Sequence, residues 1–457
     1  MCGGKKGSKL LIFLEEFALL YAVIKWTALA ALSGVVVGAG VTLFVKLLEF
    51  AIGTTENLST FWTFAILPIG LVASTLTVHY LAPDASGHGT EKVVEAVHER
   101  GGKIDLKVVP VKMISTIMTV AAGGSAGKEG PATQIAAGLT STLATFMKFN
   151  EYDKKKLVVC GVSAGFAAVF GTPVAGAVFA LEVLYIGQIF YDALFPSFIS
   201  GVVAWRTALL LGLSYSGFPL EGNLPAFTVE NLMWTILAGI FFGFVSLCFV
   251  EIMDAGESLF HKLKVPLVVK ALIGAALILL LASCVGTEYF GLSDKAMGEI
   301  LHGRGVPFFA WLWKILMTVL TLGCGGSGGV VTPIFYIGAS SGAAFAQLFN
   351  LNTITYASWG MVGILAGCAN APIASTIMAI ELLGGASAPF AAIVSVTSFM
   401  IVGHRSVYPT QLLERPKSSL LKFPQSGHRI DRHETQVDLE ASPLLNKLHI
   451  SHREKEE

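Results

Sequence analysis

The chain has 457 residues, of which 54% are apolar and 14% charged, with 31 basic residues balancing 31 acidic ones. So apolar a composition excludes an ordinary water-soluble domain, and the absence of a basic stripe excludes nucleic acid as a partner. The chain reads as an all-α polytopic membrane protein whose solvent is the lipid bilayer.

Lys5, Lys6 and Lys9 precede the first long apolar run, which by the positive-inside tendency makes 1–16 a cytoplasmic segment. The run itself, 17–50, is too long for a secretory signal and has no small-residue cleavage site, so it reads as an uncleaved helix. Further runs long enough to span lie at 60–82, 193–213, 231–253 and 267–284. Gly87-His88-Gly89-Thr90-Glu91-Lys92 introduces an amphipathic piece, Val93–Arg100, that is too short to span. Apolar stretches at 108–122, 132–147, 157–182, 306–322, 334–349, 359–380 and 387–402 are cut by Gly and Pro. Broken backbone at membrane depth survives only where protein buries it or a polar cavity is lined by it. From Arg415 the composition turns polar, and 415–457 is expected to be a solvated, loosely ordered cytoplasmic tail. Its Glu440-Ala-Ser-Pro-Leu444-Leu445 string resembles an acidic dileucine sorting signal, a pattern that arises often by chance. The six cysteines stand singly, without CxxC pairs or histidines at ligand spacing, so they read as small core residues rather than a metal or redox site.

Two of the broken stretches are the same passage. Lys112, Thr116, Thr119, Gly123, Gly124, Ser125, Gly127 and Pro131 recur as Lys314, Thr318, Thr321, Gly325, Gly326, Ser327, Gly329 and Pro333 at a constant offset of 202. Pro173 and Glu182 recur as Pro372 and Glu381 at an offset of 199. The chain therefore divides into a first membrane repeat at 17–215, a linker at 216–227 and a second repeat at 228–414. Matching letters do not by themselves tell parallel from inverted repeats. Paired, Gly/Pro-interrupted segments at matching places point to a transport site near the bilayer midplane.

The chemistry gathers in Gly124–Pro131. Pro131 suits the first turn of a helix over 132–146, and the glycines before it leave backbone amides free to point one way. Amides at a helix N-terminus, reinforced by the dipole, bind anions. Gly328-Gly329-Val330-Val331-Thr332-Pro333 supplies a second such end. A dehydrated anion needs several donors, because each hydrogen bond to a charged group returns only about 1.5–3 kcal/mol. Glu129 lies inside the glycine nest, where an ionised carboxylate is expensive and therefore a functional candidate; Lys128 beside it is the alternative, an ion-pair partner. Glu182 and Glu381, being copied, point to a helix-end or packing role common to both halves. Lys112 and Lys314 read as anchors or pore-field charges. No arrangement of Ser/His/Asp, His-Glu-x-x-His or paired Asp at catalytic spacing marks an enzyme.

These residues together resemble the CLC family of chloride channels and chloride/proton antiporters over about 17–415. Gly127-Lys128-Glu129-Gly130-Pro131 resembles its G(K/R)EGP signature, Gly328–Pro333 its GxFxP signature, and Gly87-His88-Gly89 stands where most members have GSGIP. The resemblance implies an inverted repeat of tilted, broken transmembrane helices, a homodimer with one chloride pathway per subunit, and no cofactor beyond bound chloride ions. It makes Glu129 the external gate, sets the amides of Val330 and Val331 on the central anion with Gly329 and Gly130 beside them, and gives that anion the Tyr408 hydroxyl. One register puts His88 at the anion-binding serine; a register one residue earlier puts Ser86 there, and the first is preferred because Ala96 then also aligns. Val183 occupies the place after Glu182 where proton-coupled members often carry a glutamate, which favours channel-like conduction over chloride/proton antiport. The resemblance speaks against the fluoride-exporting branch, which typically lacks the central tyrosine.

Overall fold

A computed structural model describes residues 4–422 apart from 57–58, 216, 219 and 221–223, together with 428–429 and 436–437. Cys2, the Glu440–Leu445 string, part of the linker and most of the polar tail lie outside the described residues.

The helices fall into two sets in the same order. The first is α1 (Gly4–Glu56), α2 (Thr60–Leu81), α3 (Thr90–Glu99), α4 (Val108–Ala121), α5 (Glu129–Phe146), α6 (Glu151–Phe170), α7 (Pro173–Glu182) and α8 (Leu194–Leu210). The second is α9 (Val229–Lys262), α10 (Leu267–Val285), α11 (Asp294–Leu301), α12 (Ala310–Gly323), α13 (Val331–Phe349), α14 (Thr353–Ala369), α15 (Pro372–Leu383) and α16 (Ala388–Val402). Among the described residues six helical segments are long and apolar enough to cross a membrane: Leu14–Thr55, Phe61–Leu81, Tyr191–Leu210, Val229–Lys262, Leu267–Val285 and Gly385–Val402.

Two of the stretches cut by Gly and Pro, 157–182 and 359–380, are each a pair of helices. Gly171 ends α6 in the left-handed region (φ 74°) and Pro173 starts α7, while Asn370 (φ 54°) and Pro372 do the same between α14 and α15. A positive-φ residue followed by Pro ends one helix and starts the next. The short helix α11, the counterpart of α3, went unanticipated, because eight residues make too weak a periodic signal.

Within each set the first and last helices pack through small residues. A Cβ added at Gly34 or Gly38 of α1 would lie 2.7 Å from the Ser200 carbonyl or 2.8 Å from the Ala204 carbonyl of α8. At Gly239 and Gly243 of α9 it would meet Thr397 and Ile401 of α16. With no water to drive helices together in lipid, such close backbone approach is a main source of association.

The two sets meet by reciprocal exchange. Gly127 and Gly329 form an antiparallel bridge in which each amide donates to the other's carbonyl at 2.7 Å. The Ser125 amide donates to Thr321 Oγ1 and the Ser327 amide to Thr119 Oγ1, both at 3.0 Å. The Glu182 carboxylate accepts from the Ile373 and Ala374 amides at the start of α15, at 3.1 and 2.8 Å. Glu381 accepts from Val174 and Ala175 at the start of α7 at the same two distances. Contacts that map residue i onto j and j onto i define a two-fold axis. Because the passages run antiparallel where they touch, the repeats are inverted.

After α16 the chain returns to the body. Leu412–Leu413 pairs in parallel with Tyr185–Ile186, and the Lys417 amino group donates to the Phe399 carbonyl at 2.7 Å while lying over the Phe399 ring. The expectation of a loosely ordered segment from Arg415 is corrected here. Its Arg415 amide donates to the Ile186 carbonyl at 3.3 Å and its Lys417 amide to His404 Nε2 at 3.0 Å, anchors that composition does not reveal.

Candidate functional site: two helix ends around a buried carboxylate

The bridge between Gly127 and Gly329 brings the starts of α5 and α13 together. The first amides of a helix have no carbonyl one turn back to accept them. At α13 one of these donors is taken by a side chain from the other repeat. The Glu129 carboxylate accepts from the Thr332 amide at 3.1 Å and from its hydroxyl at 2.7 and 2.6 Å. Glu129 is 1% exposed, so an acidic side chain sits buried in the positive field at the start of α13, a place that favours negative charge. Val330 and Val331, both buried, begin that same helix turn. Pro131 occupies the first turn of α5, which starts at Glu129, three residues earlier than expected.

Close approach requires the glycines. A Cβ at Gly329 would lie 2.7 Å from the Gly130 amide nitrogen, and one at Gly127 would lie 2.7 Å from Glu129 Oε2. Gly130 packs against the His88 carbonyl, and Gly89, at φ 89°, against the Gly130 carbonyl. The loop carrying Ser86, Gly87 and His88 therefore abuts the start of α5. Thr90, first residue of α3, shares a hydrogen bond with Thr133 of α5 at 2.9 Å.

Tyr408 is fully buried; its hydroxyl makes no hydrogen bond of normal geometry among the described residues, and the Thr90 hydroxyl is the side-chain group it interacts with. Tyr408 lies within electrostatic reach of Glu129 and Glu91. Its segment is held rigidly: the Tyr408 amide donates to Ser406 Oγ at 3.0 Å, and Gln411 Nε2 donates to the carbonyls of Val183 and Ala369 at 2.9 and 3.0 Å. A phenol O–H can donate to an anion without itself carrying charge.

Lys128 is the chain neighbour of Glu129 but forms its ion pair elsewhere. Its amino group pairs with Asp294 at 3.6 Å, so the alternative of a Lys128–Glu129 ion pair is corrected. That partner comes from α11, the helix the sequence reading missed. The pair lines a cavity of about 710 Å³ with Glu49, Glu288, Ser293 and Lys295.

Lys112 and Lys314 are anchors. Lys112 donates to the Ala85 and Gly87 carbonyls at 3.0 and 2.7 Å, Lys314 to those of Tyr289 and Gly291 at 3.0 Å each and to Ser293 Oγ at 2.8 Å. Each fixes the loop that leads into the short helix of its own repeat. Glu182 and Glu381 lie at helix ends, and Val183 is a buried apolar side chain whose carbonyl faces Gln411. The site thus assembles Glu129, Gly130, Gly127, Gly329, Val330, Val331 and the backbone of His88, with Tyr408 nearby. It leaves the two lysines and the two capping glutamates at its supports. Thr332, the residue that holds Glu129, was missed because its partner is 203 residues away. No group of His, Cys, Asp or Glu suited to a metal occurs among the described residues.

Known proteins resemble this chain in sequence and in fold. A family model described as voltage gated chloride channel matches residues 69–403. A chloride/fluoride channel protein of Pseudomonas syringae pv. tomato is 33% identical over 409 residues, covering 88% of this chain and 90% of that protein. The crystal structure of a CLC-type fluoride/proton antiporter superposes with a TM-score of 0.82 at 29% identity, over 86% of this chain and 99% of that one. The structure of a slow cyanobacterial Cl⁻/H⁺ antiporter does so with a TM-score of 0.71 at 20% identity, over 84% of this chain and 96% of that one, a likeness of fold.

Proposed function

Since the chain belongs to the voltage gated chloride channel family of anion-transporting membrane proteins, we propose that it passes chloride and similar halides through one pathway per subunit of a homodimer, with Glu129 as the gate. The observation that carries this reading is the Glu129 carboxylate seated on the Thr332 amide and hydroxyl at the start of α13. An ionised Glu129 fills the anion's seat. A proton arriving from outside removes its charge, its attraction to the helix end weakens, and a halide takes the place with the amides of Val330 and Val331 and the Tyr408 hydroxyl as donors. In this reading bound chloride is the only ligand, and the N- and C-termini face the cytoplasm.

Val183 favours channel-like conduction, because no carboxylate follows Glu182. The second reading is proton-coupled exchange, with fluoride among the cargoes. It is favoured by the similarity to proteins whose names include a fluoride/proton antiporter and a chloride/fluoride channel. Sealed vesicles carrying the purified protein decide between them. Under an outward gradient of chloride, and separately of fluoride, halide efflux is followed by electrode together with external pH. Halide movement without proton movement supports conduction, proton uptake against its gradient supports exchange, and no halide movement of either kind contradicts the proposal.

A further inference from the structure

His88 stands in the loop before α3, and its two ends face different surroundings. Its carbonyl packs against Gly130, the chain neighbour of Glu129. Its ring, only 4% exposed, places Nε2 2.8 Å from Glu257 Oε1 on α9, and the Glu257 side chain is 47% exposed. Nε2 therefore donates to the carboxylate. The other nitrogen, Nδ1, is buried without a hydrogen-bond partner among the described residues, 3.9 Å from Glu91 Oε2. The remaining charge facing the ring is the Lys112 ammonium of α4, committed to the Ala85 and Gly87 carbonyls; Glu129 of α5 turns instead toward Thr332. Neither the anion-gating role of Glu129 nor the support of the loop uses Glu257.

The inverted two-fold places this pair. The loop before α3 and the start of α11 are equivalent in the two repeats, so His88 lies at the mouth opposite the cavity lined by Lys128 and Asp294. α1 and α9 run in opposite directions across the membrane for the same reason. With α1 starting in the cytoplasm, α9 ends there, and Glu257 stands close to that end, five residues before Lys262.

We propose that His88 and Glu257 form the proton-binding pair of the inner mouth, a second titrating device of the pathway that is separate from Glu129. The inference rests on the halide-transport reading above. With neutral imidazole hydrogen-bonded to an ionised Glu257 the pair carries one negative charge. A proton from the inner solution binds Nδ1 by way of Glu91 Oε2, 3.9 Å away on a side chain 20% exposed, leaving N–H groups on both ring nitrogens with Nε2–H still donated to Glu257, and the pair becomes neutral. No other bond forms or breaks. Histidine is the side chain whose ordinary charge change falls between pH 5 and 8. Loss of one negative charge beside the mouth raises local halide occupancy, so inner acidification speeds transport.

The test uses the full-length protein in planar bilayers, with pH set separately in the two chambers. Wild type should respond to acidification from either side. Glu129→Gln should remove the response to one side, which identifies the outer face. Glu257→Gln, and independently His88→Asn, should remove the response to the other, reducing an expected change of about three- to tenfold between pH 7.5 and 5.5 to less than about 1.5-fold, each variant normalised to its own flux at pH 7.5. The Gln variant keeps a hydrogen-bond acceptor at a half-exposed site, and two independent variants guard against misfolding of either. If both keep the wild-type inner response, or if wild type has none, the pair is not a proton site. Wild type passing no halide at any pH would instead remove the reading beneath it.

Discussion

Glu182 and Glu381 support each other's repeats, and removing them should cost stability rather than transport. Each carboxylate accepts two amide hydrogen bonds at a helix start in the opposite repeat, at 2.8 and 3.1 Å. A hydrogen bond to a charged group contributes about 1.5–3 kcal/mol, and the helix dipole adds about 0.3–1 kcal/mol. Glu182 is 6% exposed and little screened, so Glu182→Ala, which also leaves two amides unpaired, should cost about 3 kcal/mol. Glu381 is half-buried and caps an exposed Val174, so solvent replaces part of what is lost and Glu381→Ala should cost about 1–2 kcal/mol. Unfolding entropy of about 2.1 cal/mol/K per residue converts these into midpoint falls of about 3 and 1–2 °C for a chain of this size. The assay is thermal unfolding in one detergent, paired with halide flux in vesicles for Glu182→Gln. That variant should retain flux within about twofold of wild type, because the group touches no transported ion. Loss of flux at an unchanged melting temperature would refute the capping role and return Glu182 to the transport path.

Lys112→Met and Lys314→Met should each lower stability by about 2–4 kcal/mol, since each deletes the clamp on an equivalent loop; unfolding curves that separate the two widely would argue against equivalent roles. Tyr408→Phe should change the melting temperature little, because the hydroxyl makes no hydrogen bond of normal geometry among the described residues. It should weaken halide binding by about tenfold, the worth of one hydrogen bond to an anion, as read by isothermal titration. Unchanged affinity would take the tyrosine out of the anion site.

Much of the site was legible because it was written twice. Identical letters at a fixed offset marked Gly127 with Gly329 and Ser125 with Ser327, and these are the positions where the two repeats touch. Copying also argued that Glu182 and Glu381 serve helix ends. What the letters did not contain is that each caps a helix of the other repeat, since exchange between repeats is a property of the axis. Partners contributed once, by distant segments, stayed hidden. Thr332 holding Glu129, Asp294 holding Lys128 and Glu257 holding His88 all depend on how α9, α11 and α13 are brought round. The extent of α1 was underestimated as well, 53 residues against an apolar run at 17–50, because helical hydrogen bonding continues past the segment that hydrocarbon requires.

The account stands on Glu129 occupying a halide's seat, and the most direct test is halide flux against external pH in wild type and Glu129→Gln. Wild-type flux should rise as external pH falls, because protonation removes the charge that holds the carboxylate at Thr332. The Gln variant should conduct at every pH with a flat profile. A Gln variant that keeps the wild-type pH dependence would contradict the account.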